Sequence, residues 1–288
     1  MYDYDRFFIK NGKVSLHTTV YPRENAETVV LLHGGPGVPN PMFELAAELH
    51  RKFQVINFEQ RGTGLSSNPD SSYTIEDYIS DIDAIAAHFQ LEDFHLFGHS
   101  WGGLYAQIYS AKRPSRIKSL FLCSPSSGTN ELWKRTEREV MHFNKNMASN
   151  WEWMKMGWYS LLGMFGSDRA YQKLFSLVMS NYHKEYPNIN VNEEQLKSIK
   201  AAPINKTRAS IVRYKPLEKM SAPPFKVCLT YGSQDIYGES QQAVSDRYPS
   251  TTSIIIDGSG HIPWLHQPSA FGNILQAFYA LGDFRNEG

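Results

Sequence analysis

Short runs of unbroken apolar residues alternate along the chain with longer stretches in which apolar positions recur every three or four residues, and these two patterns predict strands and helices in turn. Phe7 to Ile9 and Val14 to Tyr21 flank Asn11-Gly12, a dipeptide suited to a tight hairpin, so two antiparallel strands are expected first. Thr28 to Leu32 is continuously apolar, as in a strand covered on both faces. A helix over Pro41 to Arg51 and a strand over Phe53 to Phe58 follow. Thr74 with Asp77 reads as a capping box ahead of Ile75, Tyr78, Ile79, Ile82, Ile85, Ala86 and Phe89, which fall at helical spacing. Phe94 to Phe97 is the next strand, Leu104 to Lys112 a helix stopped by Pro114, and Ile117 to Cys123 another strand. Such alternation predicts right-handed crossovers and a mainly parallel sheet flanked by helices.

The alternation stops near Ser124. From there to Lys219 no strand is convincing, and helix-like segments carry Trp133, Met147, Trp151, Trp153, Met154, Met156, Trp158, Met164 and Phe165. A helical insertion over residues 126–219, covering the carboxyl edge of the sheet, accounts for this. The core is then residues 1–125 and 220–288. The insertion's aromatic and Met side chains are expected mostly to pack, with some of them lining a substrate pocket. The sheet pattern resumes with a strand over Phe225 to Tyr231, a helix near Glu239 to Arg247, a strand over Thr252 to Ile256 and a helix from Pro268 to about Leu281.

Composition adds exclusions. With 288 residues, 41% of them hydrophobic, the chain can bury a large core. Lys plus Arg and Asp plus Glu both number 29, so no charge excess points to nucleic acid or an anionic membrane as partner. The charge is uneven, however: residues 126–219 hold 15 Lys or Arg against 9 Asp or Glu. Cys123 and Cys228 each sit in an apolar run, as buried reduced thiols do. No basic segment followed by an apolar stretch opens the chain, and no run nears the roughly 18 apolar residues of a membrane helix, so a cytoplasmic protein is expected.

The candidate chemistry lies in the loops after the strands. Gly98-His99-Ser100-Trp101-Gly102 follows an apolar strand and precedes a helix, the setting in which G-x-S-x-G forms a strained turn that lifts a serine Oγ clear of the backbone. A serine hydroxyl needs a base and a group that orients the base. Asp235 and His261 each lie just past a predicted strand on the same sheet edge, in the chain order Ser, Asp, His. Asp257, four residues before His261, is the competing acid, and Asp235 is preferred because its loop is better placed. His99 is expected to point away from Oγ. His142, His183 and His266 show no metal-site spacing, and no metal or cofactor is expected. The N–H of Trp101, at the start of the elbow helix, and that of Gly35, in His33-Gly34-Gly35-Pro36-Gly37, are the donors expected to meet an oxyanion.

Together these residues resemble the α/β-hydrolase superfamily. Within it, His33-Gly34-Gly35-Pro36-Gly37, Glu59-Gln60-Arg61-Gly62 and Gly98-His99-Ser100-Trp101-Gly102-Gly103 look like the proline iminopeptidase family, although Glu59 stands where Asp is usual and His99 where Gly or Gln is. The resemblance implies an α/β-hydrolase fold with a helical cap, Ser100, Asp235 and His261 as the triad, and Gly35 and Trp101 as the oxyanion hole. It also implies release of N-terminal proline from small peptides, with the free amine held by carboxylates of the cap. Two other readings fit the same residues: a carboxylesterase or lactonase acting on small apolar acyl esters, and a ligand receptor without catalysis.

Overall fold

The computed structural model describes residues 4–39, 42–189 and 192–280. Eight strands form one sheet: β1 (Asp5–Asn11), β2 (Val14–Tyr21), β3 (Thr28–Leu32), β4 (Gln54–Phe58), β5 (Phe94–His99), β6 (Ile117–Cys123), β7 (Lys226–Gly232) and β8 (Ser253–Ile256). Their spatial order is β1-β2-β4-β3-β5-β6-β7-β8. The hairpin strand β2 runs antiparallel to both β1 and β4, and every later pair is parallel.

Period-two alternation sends neighbouring residues of each strand to opposite faces. Val29 and Leu31 of β3 join one core with α1 (Phe43–His50) and α11 (Pro268–Ala280), through Leu45, Leu49, Phe271 and Leu275. Val30 and Leu32 join the other, against α2 (Ile75–His88), α3 (Trp101–Lys112) and α9 (Ser240–Arg247), through Ile75, Tyr78, Ile82, Leu104, Ile108 and Val244. Burying one such side chain contributes roughly 1.5–3 kcal/mol. The central strands are largely apolar because both their faces are covered.

Thr74 caps α2 by the expected box: its Oγ1 accepts from the Asp77 N–H, and Asp77 accepts from the Thr74 N–H. Two boundaries differ from expectation. The elbow helix α3 begins at Trp101 rather than Leu104, because Gly102 and Gly103, poor helix formers, are held in its first turn by close packing. A short helix, α10 (Pro263–His266), not anticipated, follows His261. The helix expected from Pro41 is described from Phe43, and Pro41 and Leu281 lie outside the described residues.

Between β6 and β7 the described residues form five helices and no strand: α4 (Glu131–Met147), α5 (Asn150–Met164), α6 (Asp168–Tyr182), α7 (Glu193–Leu196) and α8 (Ala201–Arg213). Tight packing of their aromatic and Met residues holds only in part. Trp133 and Met156 are buried, but Trp151, Met154, Trp158, Met164 and Phe165 are exposed. Contacts with the sheet side run through specific pairs, among them Trp133 edge-on to Trp101, Tyr182 edge-on to His261 and Tyr78 hydroxyl bonded to Thr207 Oγ1. Cys123 and Cys228 are free and buried.

Candidate active site

Ser100 sits between β5 and α3 at φ 56°, a value that few residues other than glycine adopt and that marks a strained turn. The turn is possible because its flanks are bare. A Cβ on Gly98 would come within 2.4 Å of the Gly102 carbonyl oxygen, and one on Gly102 within 2.0 Å of the Leu32 carbonyl oxygen. Ser100 itself stays partly exposed.

The loops after β7 and β8 bring Asp235 and His261 to this edge. His261 Nδ1 lies 2.9 Å from Asp235 Oδ1, with both side chains nearly or wholly buried. Asp235 also accepts from Ser124 Oγ at 2.6 Å, from the Gly232 N–H at 3.3 Å and from the Tyr237 N–H at 3.3 Å. Burial alone would raise its pKa, but His261 and these donors outweigh it and hold the carboxyl below its ordinary value. Asp257, by contrast, is exposed and faces Ser233 Oγ at 3.4 Å. The hydroxyl of Ser100 bonds at 3.2 Å to that of Tyr237, and no hydrogen bond joins it to His261. Catalytic hydrogen bonds are commonly long before substrate arrives.

His99 points away from Oγ, as expected. Its Nε2 lies 2.8 Å from the His261 carbonyl oxygen, and its ring meets those of His261 and Trp264. Burial pushes its pKa down to about 3, so the ring is neutral and Nε2–H donates to that carbonyl.

The glycine loop lies against the elbow: a Cβ on Gly34 would stand 3.0 Å from Ser100 Cβ. Gly35 has φ 63°, and Trp101, as the first residue of α3, keeps an N–H outside the helix ladder. Gln60 fastens these parts together. Its Oε1 accepts from Trp101 Nε1 at 2.8 Å, its Nε2 donates to the His33 carbonyl at 2.8 Å, and its N–H donates to His33 Nε2 at 3.2 Å. That last bond fixes the tautomer: His33 carries its proton on Nδ1 and donates to the Gly34 carbonyl at 2.9 Å. Arg61 anchors the same loop to α2 through buried Asp81, with Nε 2.8 Å from Oδ2. Glu59 fits its unusual place by accepting from the Leu65 N–H and pairing with His17 Nδ1 at 3.2 Å.

A cavity of about 280 Å³ opens beside His261 and Asp235, walled by Phe143, Met147, Tyr182 and Ile236, with Glu185 also on its lining. Among the described residues no cluster of His, Cys, Asp and Glu could hold a metal ion. His183 and His266 pack against each other instead, Nδ1 to Nε2 at 3.1 Å. Ser124, Ser126, Tyr237 and Gln60 also join the site, and no residue-type motif marks them; their signal in the sequence is position, since each follows a strand end on the edge that carries Ser100.

Residues 27–265 match the family described as alpha/beta hydrolase fold. The chain belongs to that family. Proline iminopeptidases of Lactobacillus helveticus (strain DPC 4571) and Lactiplantibacillus plantarum are 36% identical over 138 residues and 35% identical over 139. Both alignments cover 46% of this chain and 47% of the relative, so the chain matches about half the length of these curated relatives. Among solved structures, VinJ superposes with TM-score 0.73 at 15% identity, covering 96% of this chain and 98% of that one. The proline iminopeptidase of Mycobacterium smegmatis superposes with TM-score 0.69 at 16% identity, covering 97% and 99%. Carboxylesterase CesB from Bacillus subtilis gives 0.65 at 16%, covering 96% and 92%. At these identities the structural likeness is one of fold. No described helix is long and apolar enough to cross a membrane.

Proposed function

We propose that this α/β hydrolase is a serine hydrolase that works through a covalent acyl-enzyme and releases N-terminal residues, proline foremost, from small peptides. The observation that carries the reading is the meeting at one sheet edge of strained Ser100 with the buried pair His261–Asp235 at 2.9 Å. In this reading Ser100 Oγ attacks the scissile carbonyl and His261 Nε2 takes its proton. Asp235 keeps Nδ1 protonated and stabilises the imidazolium. The N–H groups of Gly35 and Trp101 receive the oxyanion, where losing one donor costs about 2.7–4 kcal/mol. His261 then returns the proton to the departing amine, and water releases the acyl group by the same steps.

The peptide part rests on the relatives' names and on Glu185. Among the insert's carboxylates Glu137 is paired with Arg208 and Glu139 accepts from the Ser240 N–H, whereas Glu185 lines the cavity shared with His261. There it can meet a substrate ammonium. Residues 126–219 act in this reading as a cap over a core of 1–125 and 220–288, and two buried free thiols suit a reducing cytoplasm. The apolar cavity wall of Phe143, Met147, Tyr182 and Ile236 supports the second reading, a carboxylesterase or lactonase.

Proline and alanine naphthylamides assayed beside short p-nitrophenyl esters separate these readings. Amide turnover is expected, and ester turnover without amide turnover would refute the peptidase. A fluorophosphonate probe is expected to label the wild type and not Ser100→Ala, with Tm nearly unchanged. A folded but unlabelled wild type would instead mean a receptor.

A further inference from the structure

Tyr237 stands two residues beyond Asp235 and touches the site in three ways. Its N–H donates to Asp235 Oδ1, the oxygen that faces His261 Nδ1. Its ring meets the His261 ring edge-on, with centroids 5.0 Å apart and planes at 81°. Its hydroxyl lies 3.2 Å from Ser100 Oγ and 2.9 Å from Ser126 Oγ. Tyr237 is 4% exposed and Ser126 1%, so the hydroxyls of these two answer to each other and to Ser100 rather than to bulk water.

Donor accounting sets the direction of the chain. Attack requires the Ser100 proton to be given to His261. With that proton committed, Oγ can only accept from Tyr237. The Tyr237 proton then points to Ser100, and the Ser126 hydroxyl donates to the phenol oxygen. A row of buried hydroxyls polarised in one direction strengthens its last donor.

We propose that Tyr237 is a further catalytic residue whose hydroxyl donates to Ser100 Oγ and stabilises the charge that gathers on that atom as the acyl-enzyme breaks down. This inference rests on the serine-hydrolase reading. In that step a water oxygen attacks the acyl carbon and gives a proton to His261 Nε2. The tetrahedral intermediate then breaks its C–Oγ bond, the electron pair stays on Oγ, the imidazolium returns the proton there, and the carboxylic acid leaves. Tyr237 yields no proton, and burial pushes its pKa up to about 12, which keeps it a donor. An ester oxygen accepts hydrogen bonds weakly and a departing alkoxide accepts them strongly, so this bond tightens in the transition state. In acylation Oγ instead loses electron density to the new bond, and the same donor gives little help.

Tyr237→Phe removes the hydroxyl while leaving the ring and the N–H to Asp235. With p-nitrophenyl acetate in stopped flow, the burst of the variant is expected to keep its rate and approach one equivalent of enzyme. Its steady-state rate is expected to fall about tenfold, the worth of one such bond. Intact-protein mass spectrometry should show the acetyl adduct accumulating, and Ser126→Ala should move both readouts the same way by less. An unchanged steady state overturns the inference while wild-type turnover still upholds the parent reading. Equal slowing of both phases also overturns it, since that is what a displaced His261 would give. Wild-type turnover that survives Ser100→Ala would refute the serine-hydrolase reading, and the role of Tyr237 falls with it.

Discussion

Asp235 and Asp257 lie 26 and four residues before His261 in sequence, yet it is the farther one that bonds to it in space. The turn that follows β8 carries Asp257 outward to Ser233, while the loop after β7 folds Asp235 under the imidazole, where four donors converge on it. A carboxylate so served can hold Nδ1–H and balance an imidazolium, and an amide cannot do both. Asp235→Asn is therefore expected to lower kcat by about 10⁴-fold while leaving KM near its value, by analogy with the same change in a serine protease triad. Asp257→Asn should stay close to wild type. Full activity in the first variant and loss in the second would reverse the assignment.

At the scale of elements, the site depends on loops held to the helices behind them. The loop carrying Gln60 is pinned by Arg61, whose guanidinium spans Asp81 and the Asp77 carbonyl of α2 and the Ser72 carbonyl just before it. Removing one partner of a buried ion pair costs about 3–5 kcal/mol when the other charge is left alone, and here the Asp77 carboxylate, 3.3 Å from Arg61, keeps it partly paired. Asp81→Ala should lose toward the low end of that range, about 3 kcal/mol, in urea unfolding and also weaken turnover, because Gln60 positions both His33 and Trp101. A loss within about 1 kcal/mol would mean that water replaces the carboxylate. These links also mark what a sequence can display. Strands read as apolar runs, so β3, β5, β6, β7 and β8 and the loops at their ends were legible, and with them the positions of Gly35, Ser100, Asp235 and His261 on one sheet edge. The start of α3 was not, since Gly102 and Gly103 signal a loop by propensity and are held in the helix by close neighbours, the end of β3 at Gly102 and Pro125 at Gly103. The helices of the insert were blurred because α5 is apolar on several sides, exposing Trp151, Met154 and Trp158 while burying Met156. The hydroxyl chain through Ser126 and Tyr237 joins residues 111 positions apart, which no local pattern encodes.

For the whole molecule, the distribution of buried histidines predicts how stability responds to acid. Burial lowers the pKa of His33 and His183 to about 4 and that of His99 and His266 to about 3, with the neighbouring ring of His183 adding to the effect on His266. In the unfolded chain each returns to about 6.5. Between these values the unfolded state binds more protons, so stability is fully present above about pH 6.5 and is lost as pH falls toward the folded-state values. The lowered pKa of Asp235 acts in the same sense, at lower pH still, below its ordinary 3.8. A formal net charge of zero at pH 7 leaves little general repulsion to compete with these groups near neutrality. Urea unfolding between pH 7 and 5 should therefore lose stability more steeply than the ~1.4 kcal/mol per pH unit of a single proton. His183→Asn, which deletes one titrating ring from the pair at 3.1 Å, should make the slope shallower. A flat profile over this range would mean that the rings take up protons without unfolding, and that the neutral tautomers assigned to His33 and His99 are wrong.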